Sequence, residues 1–368
     1  MYEIITEGKV KMYAPKDDKV SKKLPVFYNP VMKLNRDISL LLLNALCKTK
    51  NIENMEIGLP LAGTGVRAMR FLAEGGHWVG SVYANDHSEE AYNLMKRNME
   101  LNFEDTDKIH LKCNDANKFL MDSMGFDYID IDPFGSPNLF LENAIRRLNK
   151  GGVLAVTATD TSALAGTYPS ACRRKYWAKP MRNELMHEVG IRILIRKVQL
   201  VASQLSKALT PVFCYSHQHY MRVFFVCQKG KMKVDDVLKK HKYLLYCECM
   251  ERKISDYNFG VCDCGREMQY AGPMYTGELW DNDLVRGMLE QDKDSKLLNR
   301  IFEESEARGK IVGFYDIHVL AKVYKISIPG FDKLKDVVDP FARTHFSDTG
   351  IVTDMPIKEL VKIVKNKK

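Results

Sequence analysis

Between residues 56 and about 228, short apolar runs alternate with longer amphipathic stretches, and this rhythm constrains the fold more than any other feature. Residues 56–61 read as a strand that meets a glycine turn and then a helix, 66–73. Strand 78–84 leads into helix 88–101. Strand 109–113 is followed by a short helix, and strand 126–131 by helix 139–148. Gly151-Gly152 turns into a fifth strand, 153–157. Such repetition implies an α/β domain whose mostly parallel sheet carries helices on both faces. A long amphipathic helix over 182–208 follows, and 211–215 with 222–228 read as a closing antiparallel pair.

The pattern breaks at Lys229-Gly230-Lys231-Met232-Lys233, which sets an expected boundary between a first domain, 1–230, and a second, mixed α+β domain, 231–368. A chain of 368 residues has length for two cores. Residues 1–50 read as an extension: a turn at 26–30, then helix 38–46 capped by Asn35 or Asp37. The tail, 362–368, is expected to fray. No apolar run approaches the ~20 residues that span a bilayer. The first residues, Met-Tyr-Glu-Ile-Ile-Thr-Glu-Gly, lack the pattern of a signal peptide, so the expected address is cytoplasmic.

Four strand ends carry chemistry. Gly63-Thr64-Gly65 lies where the first strand meets its helix, and glycine there lets a ligand approach the backbone at a helix N-terminus. Asp86 ends the second strand, where a carboxylate can bind both hydroxyls of a ribose. Asp115-Ala116 follows the third, where an acid can accept from an adenine amine. Asp132-Pro133-Phe134-Gly135 ends the fourth. Its carboxylate, its proline carbonyl and its aromatic ring suit a planar base with an exocyclic amine. Each acid alone reads equally well as a helix cap; four in register argue for more. The third glycine of a dinucleotide fingerprint is missing, position 68 being Ala, and there is no P-loop. An adenosine cofactor without pyrophosphate, S-adenosylmethionine, fits best.

The formal charge is +8, from 55 basic and 47 acidic residues, a mild excess. Its distribution says more. From Cys172 to Lys197 eight basic residues face two acids, Glu184 and Glu188, and Tyr176 and Trp177 sit among them. Cations mixed with aromatics suit an RNA backbone and unstacked bases, though a solvated helix face would look alike. Of nine cysteines, Cys247, Cys249, Cys262 and Cys264 cluster, and four thiolates suit tetrahedral zinc. Knuckles usually use Cys-x-x-Cys, and Cys-x-Cys is a tighter spacing.

The sequence resembles the tRNA guanine-26 N2-dimethyltransferases. The likeness rests on Phe27-Tyr28-Asn29-Pro30 with Asn35-Arg36-Asp37, Gly63-Thr64-Gly65-Val66-Arg67, Asn85-Asp86 and Asp130-Ile131-Asp132-Pro133-Phe134-Gly135-Ser136-Pro137. It continues through Thr157-Ala158-Thr159-Asp160, Arg174-Lys175-Tyr176, His187-Glu188-Val189-Gly190-Ile191-Arg192, His219-Tyr220-Met221-Arg222, Gly272-Pro273 with Gly277, and Arg343-Thr344-His345-Phe346. The resemblance implies a Rossmann-like class I methyltransferase sheet and transfer of one or two methyl groups to a flipped guanosine. It implies Arg36 on the cofactor carboxylate with Arg67 near the same end, Gly63 and Gly65 at the turn, Asp86 on the ribose, and Asp115 with Ala116 near the adenine. Asp132, Pro133 and Phe134 are the expected catalytic set. Phe27, Arg173, Arg174 and Lys175 are expected on tRNA, in a monomer with no membrane partner. Leu59 departs from the family, which usually ends the first strand in an acid. Another tRNA or rRNA guanosine, or an RNA-binding module without activity, remains an open alternative at this stage.

Overall fold

The structure, a computed structural model, describes residues 2–15 and 26–366. Its main sheet has seven strands: β1 (Met55–Leu59), β2 (Val79–Asp86), β3 (Ile109–Cys113), β4 (Phe126–Ile131), β5 (Leu148–Ala158), β6 (Lys207–His217) and β7 (Tyr220–Lys229). Their order is β3-β2-β1-β4-β5-β7-β6. The first five run parallel, with Ile57 opposite both Val82 and Tyr128, and Tyr128 opposite Val153. The last two are neighbours joined by two residues, a link so short that they run antiparallel, as expected. The order reverses between β1 and β4, and open parallel sheets bind ligands at such a reversal.

Burial explains why these segments are strands. Ile57, Val82, Ile129, Ile131, Leu154 and Val156 are all fully buried, as a sheet covered on both faces requires. The ring of Phe126 packs over Gly58, where a Cβ would come within 2.8 Å.

Helices α1 (Lys33–Lys50), α2 (Val66–Glu74), α3 (Glu89–Asn102), α4 (Ala116–Asp122) and α5 (Leu141–Arg147) complete this part. Helix α1 starts earlier than expected because Asn35 and Asp37 do not cap it. Asn35 accepts from Arg67 at 2.7 Å and Asp37 from Arg70 at 2.5 Å. The cap belongs to Asn29, whose side chain accepts from Val31 N and opens a 3-10 turn, Pro30–Met32, that runs into α1. The long helix is Met186–Ser203, shorter than expected. The chain leaves it for β6, where Lys207 Nζ donates to the carbonyls of Ile145, Arg146 and Leu148 at the end of α5. An N-terminal hairpin, Tyr2–Glu7 with Val10–Pro15, had no signal in the sequence reading. It packs Val10, Met12 and Ala14 against Val66 and Met69 of α2.

The chain groups into two compact units. One comprises Met1–Ala158, Gln204–Thr210 and Phe224–Gly230; the other comprises Thr159–Ser203, Pro211–Val223 and Lys231–Lys368. The expected boundary at 230 is thus one of several crossings, and residues 159–203 and 211–223 group with the later part of the chain. The second unit holds two three-stranded sheets. Its terminal helix, Ile357–Asn366, buries Ile357, Leu360, Val361 and Val364, so the tail expected to fray from 362 is packed through that helix; residues 367–368 lie outside the described residues.

The second unit's interior contains an ion network. Glu188 accepts from Arg192 at 2.9 Å, from Arg308 at 2.8 Å and from Gly313 N at 2.9 Å. Glu304 accepts from Arg308, from Thr344 Oγ1 and from the backbone and ring nitrogens of His345. Burial opposes the charge of Glu304, but Arg308, His345 and Thr344 outweigh it and lower the carboxyl to about 2. A carboxyl depressed from its ordinary 4.5 contributes stability that is present above about pH 4.5 and is lost as pH falls towards 2. The contribution is about 3 kcal/mol. Glu304→Gln is expected to lower the unfolding free energy at pH 7 by about 3–5 kcal/mol, because it leaves Arg308 short of a partner. It should also flatten the acid loss of stability between pH 5 and 2, measured by urea unfolding. An acid dependence equal to wild type would refute the role.

Candidate active site and metal centre

The turn after β1 is shaped by two glycines. Gly63 has φ 55° and Gly65 φ 77°, both in the left-handed region that side chains disfavour. Both are also hemmed in: a Cβ on Gly63 would lie 3.0 Å from the Phe27 carbonyl oxygen, and one on Gly65 would lie 2.9 Å from Met95. Gly63 N donates to Asp86 Oδ2 at 2.9 Å, which ties the turn to the end of β2. Asp86 Oδ1 accepts from Ser88 N, and Ser88, not Asp86, caps α3. Asn85 went unassigned in the sequence reading, yet it staples three strand ends. Its fully buried side chain donates to the carbonyls of Pro60 and Asn114 and accepts from Asn114 N. Asp115 caps α4, accepting from Asn117 N and Lys118 N, and Ala116 is the first residue of that helix.

The fourth strand end differs from the others. Asp132 caps no helix. Its Oδ2 accepts from Arg67 Nη2 at 2.9 Å, and Oδ1 has no hydrogen-bond partner among the described residues. Arg67 also pairs with Asp130 at 3.2 Å and donates to Asn35 Oδ1 and Ser39 Oγ. Asp130 accepts from the Tyr128 hydroxyl in turn. Pro133 is buried, while Phe134 is 47% exposed and meets Phe27 edge to face at a centroid distance of 4.3 Å. A held carboxylate with one acceptor to spare thus stands next to an exposed ring.

Both arginines expected at a ligand carboxylate are engaged by carboxylates of the chain. Arg67 serves Asp130 and Asp132. Arg36 is 6% exposed and donates Nε and Nη2 to the two oxygens of Glu7, at 2.6 and 2.5 Å. Burial alone would raise the Glu7 carboxyl, but Arg36, Tyr28 and Arg70 hold it below its usual range. Burial, together with the Glu7 charge, pushes the Tyr28 hydroxyl up to about 12. Leu59 is buried at the end of β1. The donor set around the glycine turn is therefore Asp86 and Asp115 with backbone amides. Carboxylates accept from hydroxyls and amines and repel phosphates. A nucleoside without pyrophosphate fits this set.

In the second unit, Arg173, Arg174 and Lys175 lie exposed on the helix Pro169–Tyr176. Lys175 pairs with Asp160 at 3.0 Å, and the buried Tyr176 donates its hydroxyl to the same carboxylate. Arg192, counted in the basic stretch, is buried with Glu188, so that stretch is not a single charged face.

The four clustered cysteines meet. Their Sγ atoms all lie within 4.8 Å of one another, with Cys247–Cys264 and Cys249–Cys262 at 3.5 Å. A disulfide would need about 2.05 Å. Four sulfurs around zinc at about 2.3 Å stand roughly 3.8 Å apart, which matches. The tight spacing is accommodated by two similar turns. Met250 N donates to the Cys247 carbonyl and Gly265 N to that of Cys262, each at 2.8 Å. The residue after each second cysteine is left-handed, Met250 at φ 65° and Gly265 at φ 84°.

The family model for N2,N2-dimethylguanosine tRNA methyltransferases matches residues 8–365. A protein of Aquifex aeolicus named tRNA (guanine(26)-N(2)/guanine(27)-N(2))-dimethyltransferase is 40% identical, over 98% of this chain and 95% of its own length. A Methanosphaera stadtmanae protein named tRNA (guanine(26)-N(2))-dimethyltransferase is 39% identical, over 98% and 96%. The solved structure of Trm1 from Pyrococcus horikoshii with S-adenosyl-L-methionine has a TM-score of 0.87 at 34% identity, covering 99% of this chain and 100% of that one.

Removing the Arg67 guanidinium would leave Asp130 and Asp132 without their shared counter-charge. Arg67→Met is expected to lower the unfolding free energy by about 3–5 kcal/mol, and Arg67→Lys by less, because it restores charge but not the planar fork. Urea midpoints equal to wild type in both variants would show that Arg67 does not hold this strand end.

Proposed function

The chain belongs to the N2,N2-dimethylguanosine tRNA methyltransferase family, and we propose that it transfers one or two methyl groups from S-adenosylmethionine to the exocyclic N2 amine of guanosine 26 in tRNA. The observation that carries this reading is the intact strand end Asp132-Pro133-Phe134, with one carboxylate oxygen available, in a chain matched by the family model over 8–365.

The cofactor supplies an electrophilic methyl group. Gly63 and Gly65 shape the turn against which it would lie, Asp86 would accept from its ribose hydroxyls, and Asp115 with Ala116 would meet its adenine end. Arg36 would hold its carboxylate by sharing or releasing Glu7.

The guanine amine is a weak nucleophile because its lone pair is shared with the ring. Asp132 Oδ1 accepts one amine proton and the Pro133 carbonyl the other, which turns the lone pair out of conjugation and orients it. Arg67 fixes Asp132 through its other oxygen. Phe134, supported edge-on by Phe27, offers a face on which the base stacks. A helical guanine is out of reach, so the base must leave its stack, at about a few kcal/mol. Asp132 takes the released proton and returns it to solvent. Arg173, Arg174 and Lys175 meet tRNA phosphates. With tRNA as substrate, we place the reaction in the cytoplasm, on a single copy of the chain. The 40% identity to a relative named for both positions favours guanosine 27 as a second target.

Incubating unmodified tRNA with labelled S-adenosylmethionine, then mapping nucleosides, is expected to give N2-methylated guanosine at position 26. Replacing G26 and G27 in turn separates the two targets, and no N2-methylguanosine at either position would overturn the reading. Asp132→Ala is expected to reduce kcat by about 10²–10⁴-fold with cofactor affinity unchanged. A wild-type rate in that variant would rule out the acceptor role.

We also propose that Cys247, Cys249, Cys262 and Cys264 hold one zinc ion. Metal analysis of the purified protein should find one zinc per chain, and chelation or Cys262→Ser should lower the thermal midpoint. A metal-free protein whose midpoint ignores chelator excludes the site.

A further inference from the structure

Trp177 stands apart from the rest of the basic stretch. It follows the helix Pro169–Tyr176 with φ 57° and ψ 37°, a left-handed conformation that is strained for a bulky residue. Despite that strain its side chain is 50% exposed, whereas the preceding Tyr176 is fully buried. The fold holds it from two sides. Arg196 donates to the Trp177 carbonyl at 3.3 Å, and Lys197 places its ammonium 3.0 Å from the centre of the indole. Arg196 and Lys197 are consecutive residues of the helix Met186–Ser203. The Lys197 side chain is itself largely buried, so the cation is built into the fold beneath the ring. Around the ring lie exposed cations. Arg173 and Arg174, on the last turn of the preceding helix, make no ion pair among the described residues. Tyr168, 63% exposed, stands at the other end of that helix.

Strain, exposure and a fixed cation under one face are expensive to maintain for a ring that does nothing. An indole backed by a cation presents its outer face to another π-system, and free phosphate-binding cations nearby select a nucleic acid over a neutral partner. We propose that Trp177 is a stacking platform for an unpaired base of the RNA substrate, a binding residue distinct from the Phe134 site, resting on tRNA as the substrate class. Arg173 and Arg174 would hold the adjoining phosphates while the indole takes the base.

The protein reports on this directly. Of its three tryptophans, Trp78 is 1% exposed and Trp280 6%, so a change of fluorescence on adding RNA follows Trp177. Titration with unmodified tRNA is expected to quench the emission, and Trp177→Phe to abolish the quench while keeping KM for tRNA within about two-fold. Trp177→Gly removes the ring and suits the left-handed backbone, so it should unfold at the wild-type midpoint. It is expected to raise KM for tRNA about ten-fold with kcat unchanged. Unaltered fluorescence on tRNA binding, or a wild-type KM in the glycine variant, overturns the platform. The titration reads binding itself, so it decides the stacking even if no methyl is transferred, an outcome that would sink the proposed reaction instead.

Discussion

One guanidinium organises the candidate active site. Arg67 stands on the first turn of α2 and reaches α1 through Asn35 and Ser39, and the end of β4 through Asp130 and Asp132. A planar group with five donors in a fixed fork can serve so many acceptors at once; an ammonium cannot. Asp130 is 3% exposed and would be untenable as an unpaired charge, so the same contact that permits a buried acid also aims the outer one. Structure and chemistry at this strand end share a single counter-ion. The second unit repeats the principle with Arg308 between Glu188 and Glu304.

Much of this was legible in the sequence because the relevant physics is local. β3 and β4 fall on the residues expected, and β1 and β2 start within a residue or two of expectation, because buried strands read as apolar runs closed by Gly, Pro or acid. Ends that depend on distant partners were not legible. Nothing near Lys207 says that it must leave the helix to meet three carbonyls about sixty residues earlier. Asn35 and Asp37 look like caps until Arg67 and Arg70 are known to need them. The hairpin Tyr2–Glu7 with Val10–Pro15 lacks a buried face of its own until α2 supplies one, and Glu7 is an unremarkable acid until it meets Arg36.

The site residues divide in the same way. The four strand-end motifs were found by their register, and the structure gives them different work: Asp86 ties a turn, Asp115 caps α4, and Asp132 holds an arginine. Asn85 escaped notice because a staple of backbone groups has no signature beyond its own buried polarity. The cysteine pairs looked too tightly spaced for a knuckle. A left-handed residue after each second cysteine supplies the missing turn, a conformational fact that composition does not encode at Met250.

The way the chain crosses between the two units has a consequence for how it is made. The first unit needs residues up to Gly230 before its sheet is complete, yet residues 159–203 and 211–223, already synthesised by then, group with residues that come later. On the ribosome those segments must wait, with the apolar stripe of the helix Met186–Ser203 uncovered, until the remaining residues emerge. A cut at 230 would impose the same condition permanently. The sequence break at the lysine-rich run marks where composition changes, not where the molecule can be divided.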